Sequence, residues 1–166
     1  MLYLLIVSFI WAFSFGFIKG NLTDLDSNFV AAARIALALI VFLPFLRIKK
    51  LARRDVLQFM VIGFVQYGLM YLLYIRSYQY LKAYEVALFT IFTPIFVVLI
   101  SSFYKKRFQG FYLLMAALAV IGTGIIAYSK ISDSNWLFGF MILQLANICF
   151  AFGQVYYKHL RKRVSE

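Results

Sequence analysis

Between residues 66 and 94 the sequence sets phenols, a carboxamide, hydroxyls and a proline into long apolar runs. Tyr67, Tyr71, Tyr74 and Tyr78 follow one another at steps of four, three and four. On an α-helix that spacing brings all four phenol hydroxyls to one face. Gln66 places a carboxamide beside the first of them. Pro94 follows Thr90 and Thr93. Proline has no backbone N–H and bends a helix, so it leaves a carbonyl unbonded beside two hydroxyls. Groups of this kind can hold a small molecule by hydrogen bonds, or they can tie helices to one another. The spacing leaves both readings open, and the proline is equally a binding or gating point or a static bend satisfied by its threonines.

Two ionisable groups lie in or at the ends of apolar runs. Arg34 ends the stretch Ala31-Ala32-Ala33-Arg34, and Glu85 stands at the start of the run that holds Pro94. An ionisable group in an apolar span is costly and marks a functional hypothesis by default. Arg34 either binds an anion or gates a path, or it snorkels and ties neighbouring carbonyls. Glu85 either caps its helix, favoured there by the helix dipole, or carries a proton or recognises a cation. An ion pair between Arg34 and Glu85 is a further option.

Covalent chemistry has no obvious apparatus. The single histidine, His159, sits among Lys158, Arg161, Lys162 and Arg163, where a solvated side chain is expected. No run contains a His–Ser, Asp–Asp or His–Glu constellation of the sort hydrolysis needs, and there is no phosphate-binding glycine loop. Cys149 is the only cysteine, which excludes an intrachain disulfide and a cysteine-based metal cluster. The sequence therefore points away from an enzyme, a resident cofactor and a metal.

The elements that must position these groups follow from composition. Of 166 residues, 64% are hydrophobic and only 14% charged, against about 45–50% apolar and about 25% charged in a soluble domain. Such a chain cannot coat a water-facing surface. Apolar runs over residues 2–18, 28–46, 56–75, 84–103, 111–128 and 135–157 each approach the roughly 20 residues that cross a bilayer as a helix. They are apolar all round and too long for the alternating strands of a membrane barrel. The first is read as a retained helix and not a signal peptide, since no basic residue precedes it and Lys19-Gly20-Asn21 follows it. The expected fold is an all-α integral membrane protein, a bundle of six transmembrane helices.

Basic residues alternate between the two sides of this arrangement. One side collects Arg47, Lys49, Lys50, Arg53, Arg54, Lys105, Lys106, Arg107, Lys158, Arg161, Lys162 and Arg163; the other has Lys19, Arg76, Lys82 and Lys130. Twelve against four places both termini in the cytoplasm under the positive-inside rule, with the inner membrane as location. The net charge of +11 is thus spent on orientation in short loops, and nucleic acid is not an expected partner.

A weak internal repeat adds to this. At an offset of 139, Trp11-Ala12-Phe13-Ser14 falls over Phe150-Ala151-Phe152-Gly153, and Lys19 over Lys158. The offset passes an odd number of spans, so the copies would insert in opposite directions, a plan recurrent among secondary transporters.

In order and spacing, these features resemble the EamA repeat of the drug/metabolite transporter superfamily. The residues that carry the resemblance are Trp11 through Lys19, Ala31 to Arg34, Ala87 to Thr93 leading into Pro94-Ile95-Phe96, and the glycines Gly110, Gly122 and Gly124. The resemblance implies ten helices in two inverted five-helix repeats, moving metabolites such as amino acids, amines, carboxylates or drugs, many of them outward. It covers one repeat over residues 1–132, and residues 133–166 look like the opening helix of a second repeat with a basic cytoplasmic tail. The chain thus reads as incomplete for transport alone. A partner chain or a second copy would complete the second repeat, although the charge asymmetry disfavours an antiparallel homodimer.

The resulting expectation is a gradient-driven transporter, exporting by alternating access, with the lipid bilayer and a small-molecule substrate as partners. Its path would be lined by Gln66, Tyr67, Tyr71, Tyr74, Thr90, Thr93 and Pro94, with Arg34 and Glu85 as charged gating or coupling groups. The rival expectation is a membrane assembly subunit, or a truncated remnant, that translocates nothing.

Overall fold

The computed structural model describes residues 2–22, 24–46, 51–106, 110–128 and 136–165. Arg47, Lys49, Lys50, Arg107 and Lys130, counted above, and the boundary expected at 132 lie outside the described residues. The described chain is helical, without strands. It runs α1 (Leu2–Asn21), α2 (Ser27–Phe42, extended by a 3-10 turn Leu43–Phe45), α3 (Arg53–Gly63), a π-helical segment Phe64–Leu69, and α4 (Met70–Ser77). There follow α5 (Ala83–Phe89), a 3-10 turn Thr90–Phe92, α6 (Thr93–Lys105), α7 (Gly110–Tyr128) and α8 (Trp136–Ser165). Five helical stretches are long and apolar enough to cross a membrane: Leu2–Asn21, Ser27–Phe45, Arg53–Ser77, Ala83–Lys105 and Trp136–Val164. The sixth expected span is α7, an apolar helix of 19 residues.

Local chemistry sets the boundaries that matter for the site. Asp26 caps α2, its Oδ1 accepting the backbone N–H of Asn28 and of Phe29 at 2.9 Å each. At the start of α5 the Glu85 carboxylate accepts the backbone N–H of Lys82 at 2.7 Å. α6 stops at Lys106, which takes the left-handed conformation with φ of 50°.

α8 is the central post, packing on α4, α6, α3 and the π segment, while α1 rests on α5 and α2 on α4. The core gathers Ile18, Val30, Ala31, Ile75, Tyr78, Leu81, Val86, Phe89, Leu143 and Ala146. These residues share one end of the bundle, where α1 finishes, α2 begins and α4 turns into α5. Away from that end the first two helices lose contact with the rest, and residues 2–13 and 36–46 are exposed throughout.

The opposite end is closed by α3, α6 and α8. Arg163 on α8 bonds Asp55 Oδ1 at 2.5 Å and Gln58 Oε1 at 2.6 Å on α3. The His159 ring lies tilted against Tyr104 of α6, with 4.0 Å between ring centroids. The basic tail expected after residue 157 is therefore the last turns of α8, and His159 is packed where a solvated ring was expected. The reason is periodicity: Leu160, beyond the last apolar run, continues the buried face of α8 that Val155 occupies one turn earlier.

Candidate functional site

The tyrosine stripe is shorter than its spacing implies. Tyr71, Tyr74 and Tyr78 do line one face of α4, with ring centroids 6.1 Å apart for the first pair and 5.3 Å for the second. The hydroxyls of Tyr74 and Tyr78 are hydrogen-bonded at 2.7 Å. Tyr67 does not join them and is 52% exposed. The cause is the π turn at Phe64–Leu69, where an extra residue per turn rotates everything before it out of the 3.6-residue register. Tyr78 is buried completely. Its backbone carbonyl accepts the Lys19 ammonium at 2.6 Å, which fastens α1 to α4.

Gln66 lies inside the π segment and faces α8. It is 6% exposed, and its side chain lies against Gly153, where an added Cβ would come within 2.6 Å of its Cγ and Oε1. The glycine is what lets α8 approach the widened turn. A second close approach is Gly139, where a Cβ would come 2.7 Å from Tyr80 Cβ.

Arg34 and Glu85 do not pair. Arg34 reaches α4, where its Nη2 donates to the Tyr71 hydroxyl at 3.3 Å and its guanidinium carbon sits 5.3 Å from the centre of that ring. Glu85 is 5% exposed. Besides the Lys82 N–H, it accepts the Tyr84 hydroxyl at 3.3 Å. The carboxylate thus serves its own helix start, as the capping reading of the sequence has it.

The break at Pro94 is resolved by side chains the sequence does not single out as its partners. Pro94 is the second residue of α6, preceded by the 3-10 turn Thr90–Phe92, in which the Thr93 N–H donates to the Thr90 carbonyl. A one-residue tightening of this kind releases the carbonyl one place earlier, that of Phe89. That oxygen accepts Asn147 Nδ2 at 3.0 Å and Gln144 Nε2 at 3.4 Å from α8, and the two amides bond each other at 3.2 Å. The threonines do not meet the freed group: Thr90 donates to the Ala87 carbonyl at 2.7 Å instead. Thr93 is half-buried and Pro94 exposed.

The expected site residues therefore fall into separate groups. Arg34, Tyr71 and Tyr74 are joined through Tyr71 on the α2–α4 face. Gln66 turns toward α8, Tyr67 outward, and Thr90, Thr93 and Pro94 form the broken helix on the other side of α8. Lys19, Tyr78 and Gly153 enter the picture only through contacts between distant parts of the chain. Each had a partial sequence signal, Lys19 and Gly153 in the repeat alignment and Tyr78 in the tyrosine stripe, but none of these signals named the partner.

With this geometry in place, a profile of the EamA-like transporter family matches residues 1–128. The chain is 43% identical over 162 residues to a protein of Escherichia coli (strain K12) called biotin transporter, an alignment that covers 96% of this chain and 54% of that protein. A biotin transporter of Salmonella typhimurium is 41% identical over the same shares. The probable biotin transporter of Pseudomonas aeruginosa is 43% identical along all of this chain and 58% of its own length. The chain spans about half the length of these curated relatives. No solved structure matches it significantly.

Proposed function

Because the chain belongs to the EamA-like transporter family, we propose that it forms one repeat and the opening helix of a gradient-driven membrane transporter. Its substrate is a small metabolite of the biotin type. The observation that carries this reading is the 43% identity to a biotin transporter over 96% of the chain. Transport proceeds by alternating access with no covalent step, and export is the direction the family resemblance favours. The path draws on Gln66, Tyr67, Tyr71 and Tyr74 of the third span and on Thr90, Thr93 and Pro94 of the fourth, with Arg34 and Glu85 as its charged groups. Exposure along residues 2–13 and 36–46 supports a pathway completed by a second repeat seated against α1 and α2. That repeat belongs to the same polypeptide, a partner chain or a second copy. Both termini lie in the cytoplasm.

The test is flux of radiolabelled biotin in proteoliposomes containing the native membrane assembly of the chain, second repeat included, loaded inside or outside, with and without an imposed proton or sodium gradient. Gradient-dependent movement, blocked by Tyr67→Trp, is expected. Absence of movement in both directions, with the chain inserted and folded, overturns the reading in favour of a non-transporting assembly subunit.

A further inference from the structure

Arg34 lies seven residues into α2, about 10 Å along the helix from Ser27 at 1.5 Å per residue, yet no described carboxylate lies within ion-pair distance of it. Three of the described acidic groups are committed elsewhere. Glu85 serves the start of α5 through the Lys82 N–H, Asp26 caps α2, and Asp55 holds Arg163. A guanidinium carries five N–H donors and cannot shed its charge. One of the five goes to Tyr71 and the ring face of that residue takes part of the charge, which leaves most donors and most of the positive charge unmet among the described residues. In a membrane span such a cation calls for an anion.

The neighbouring phenol strengthens this. Tyr71 accepts from Arg34, so its own O–H hydrogen is left to donate beside the remaining guanidinium donors. Tyr71 is held by its edge contact with Tyr74, and Tyr74 by its 2.7 Å bond to the buried Tyr78. The donors are thereby fixed before any ligand arrives. A planar fork of N–H groups beside one O–H matches a carboxylate, which takes two parallel bonds from a guanidinium.

We propose that Arg34 and Tyr71 receive the carboxylate of the substrate, so that the substrate class is a small organic monocarboxylate. This rests on the transporter reading above, and names the charge its substrate must carry.

The test is equilibrium binding to the full chain in nanodiscs of zwitterionic phosphatidylcholine, so that no anionic headgroup competes. The probes are biotin, benzoate and octanoate, each beside its methyl ester. The wild type should bind acids about tenfold or more tightly than esters, the range of a hydrogen bond to a charged group. Arg34→Gln should erase that preference while leaving ester binding in place, Arg34→Lys should keep part of it, and Tyr71→Phe should reduce it a few-fold. If Arg34→Gln does not fold, Arg34→Lys and Tyr71→Phe carry the same comparison. Biotin bound equally as acid and ester, or an acid preference that survives in the Arg34 and Tyr71 variants, overturns the inference and leaves the biotin reading intact. Arginine-dependent binding of benzoate or octanoate without biotin supports the inference and ends the biotin reading. Binding of no acid in the set overturns it outright.

Discussion

Asn147 sits 5% exposed on α8 and spends its amide on a carbonyl that the turn before Pro94 has released. Replacing it by leucine leaves the Phe89 oxygen with only the longer bond from Gln144. Hydrogen bonds between membrane helices are worth about 0.6–2 kcal/mol, so Asn147→Leu should cost roughly that much in a denaturant or thermal titration. Gln144→Leu should cost less. A stability equal to wild type for Asn147→Leu would mean that the amide does not serve the helix break. Tyr67 predicts the reverse pattern. Exposed at 52%, it accepts tryptophan within about 0.5 kcal/mol of stability but should lose flux if it borders the path. At this scale the sequence was a good guide to residue types and a poor one to partners. Arg34 was legible as a costly cation, and Glu85 as a carboxylate that either caps its helix or carries a proton. That Arg34 would meet Tyr71, and Asn147 the Phe89 carbonyl, depends on which helices pack together, and local spacing carries none of that.

At the scale of elements, the six apolar runs all appear as helices close to their expected bounds, save that α8 runs on to Ser165, because a run of about 20 apolar residues has few other ways to satisfy its backbone in lipid. What could not be read was the departure from ideal winding inside the third span. A step pattern of four, three and four assumes 3.6 residues per turn, and the π turn at Phe64–Leu69 breaks that assumption between Tyr67 and Tyr71. The turn is supported from α8, by the bare backbone of Gly153 against Gln66. Gly153→Ala should therefore push α8 off the π segment and destabilise the bundle by about 1–3 kcal/mol, as overpacking does. Gly16 in α1 is the control, since nothing lies within 4 Å of an added Cβ. Gly16→Ala should be neutral or raise stability by up to about 1 kcal/mol. Equal melting temperatures for the two variants in detergent would show that the contact with Gln66 imposes no constraint.

For the whole molecule the charges and the packing make a joint argument about orientation. Arg163 on Asp55 and His159 on Tyr104 bring the start of α3, the end of α6 and the end of α8 to one end of the bundle. Arg53, Arg54, Lys105, Lys106, Lys158, Arg161 and Lys162 consequently share that end, whereas Lys19, Arg76 and Lys82 gather at the other. α8, with 30 residues, is about 45 Å long at 1.5 Å per residue, more than the roughly 30 Å of hydrocarbon. The excess length lets its last turns, which carry Lys158, Arg161 and Lys162, reach past the hydrocarbon. Short basic segments of this kind are retained on the cytoplasmic side. Green fluorescent protein joined after Glu166 should then fluoresce, and alkaline phosphatase inserted after Gln79 should be active. The opposite reporter pattern would invert the bundle and place the Arg34–Tyr71 end toward the cytoplasm. Because that pair lies near the end where Lys19 and Lys82 gather, the same experiment decides from which side a carboxylate first meets it.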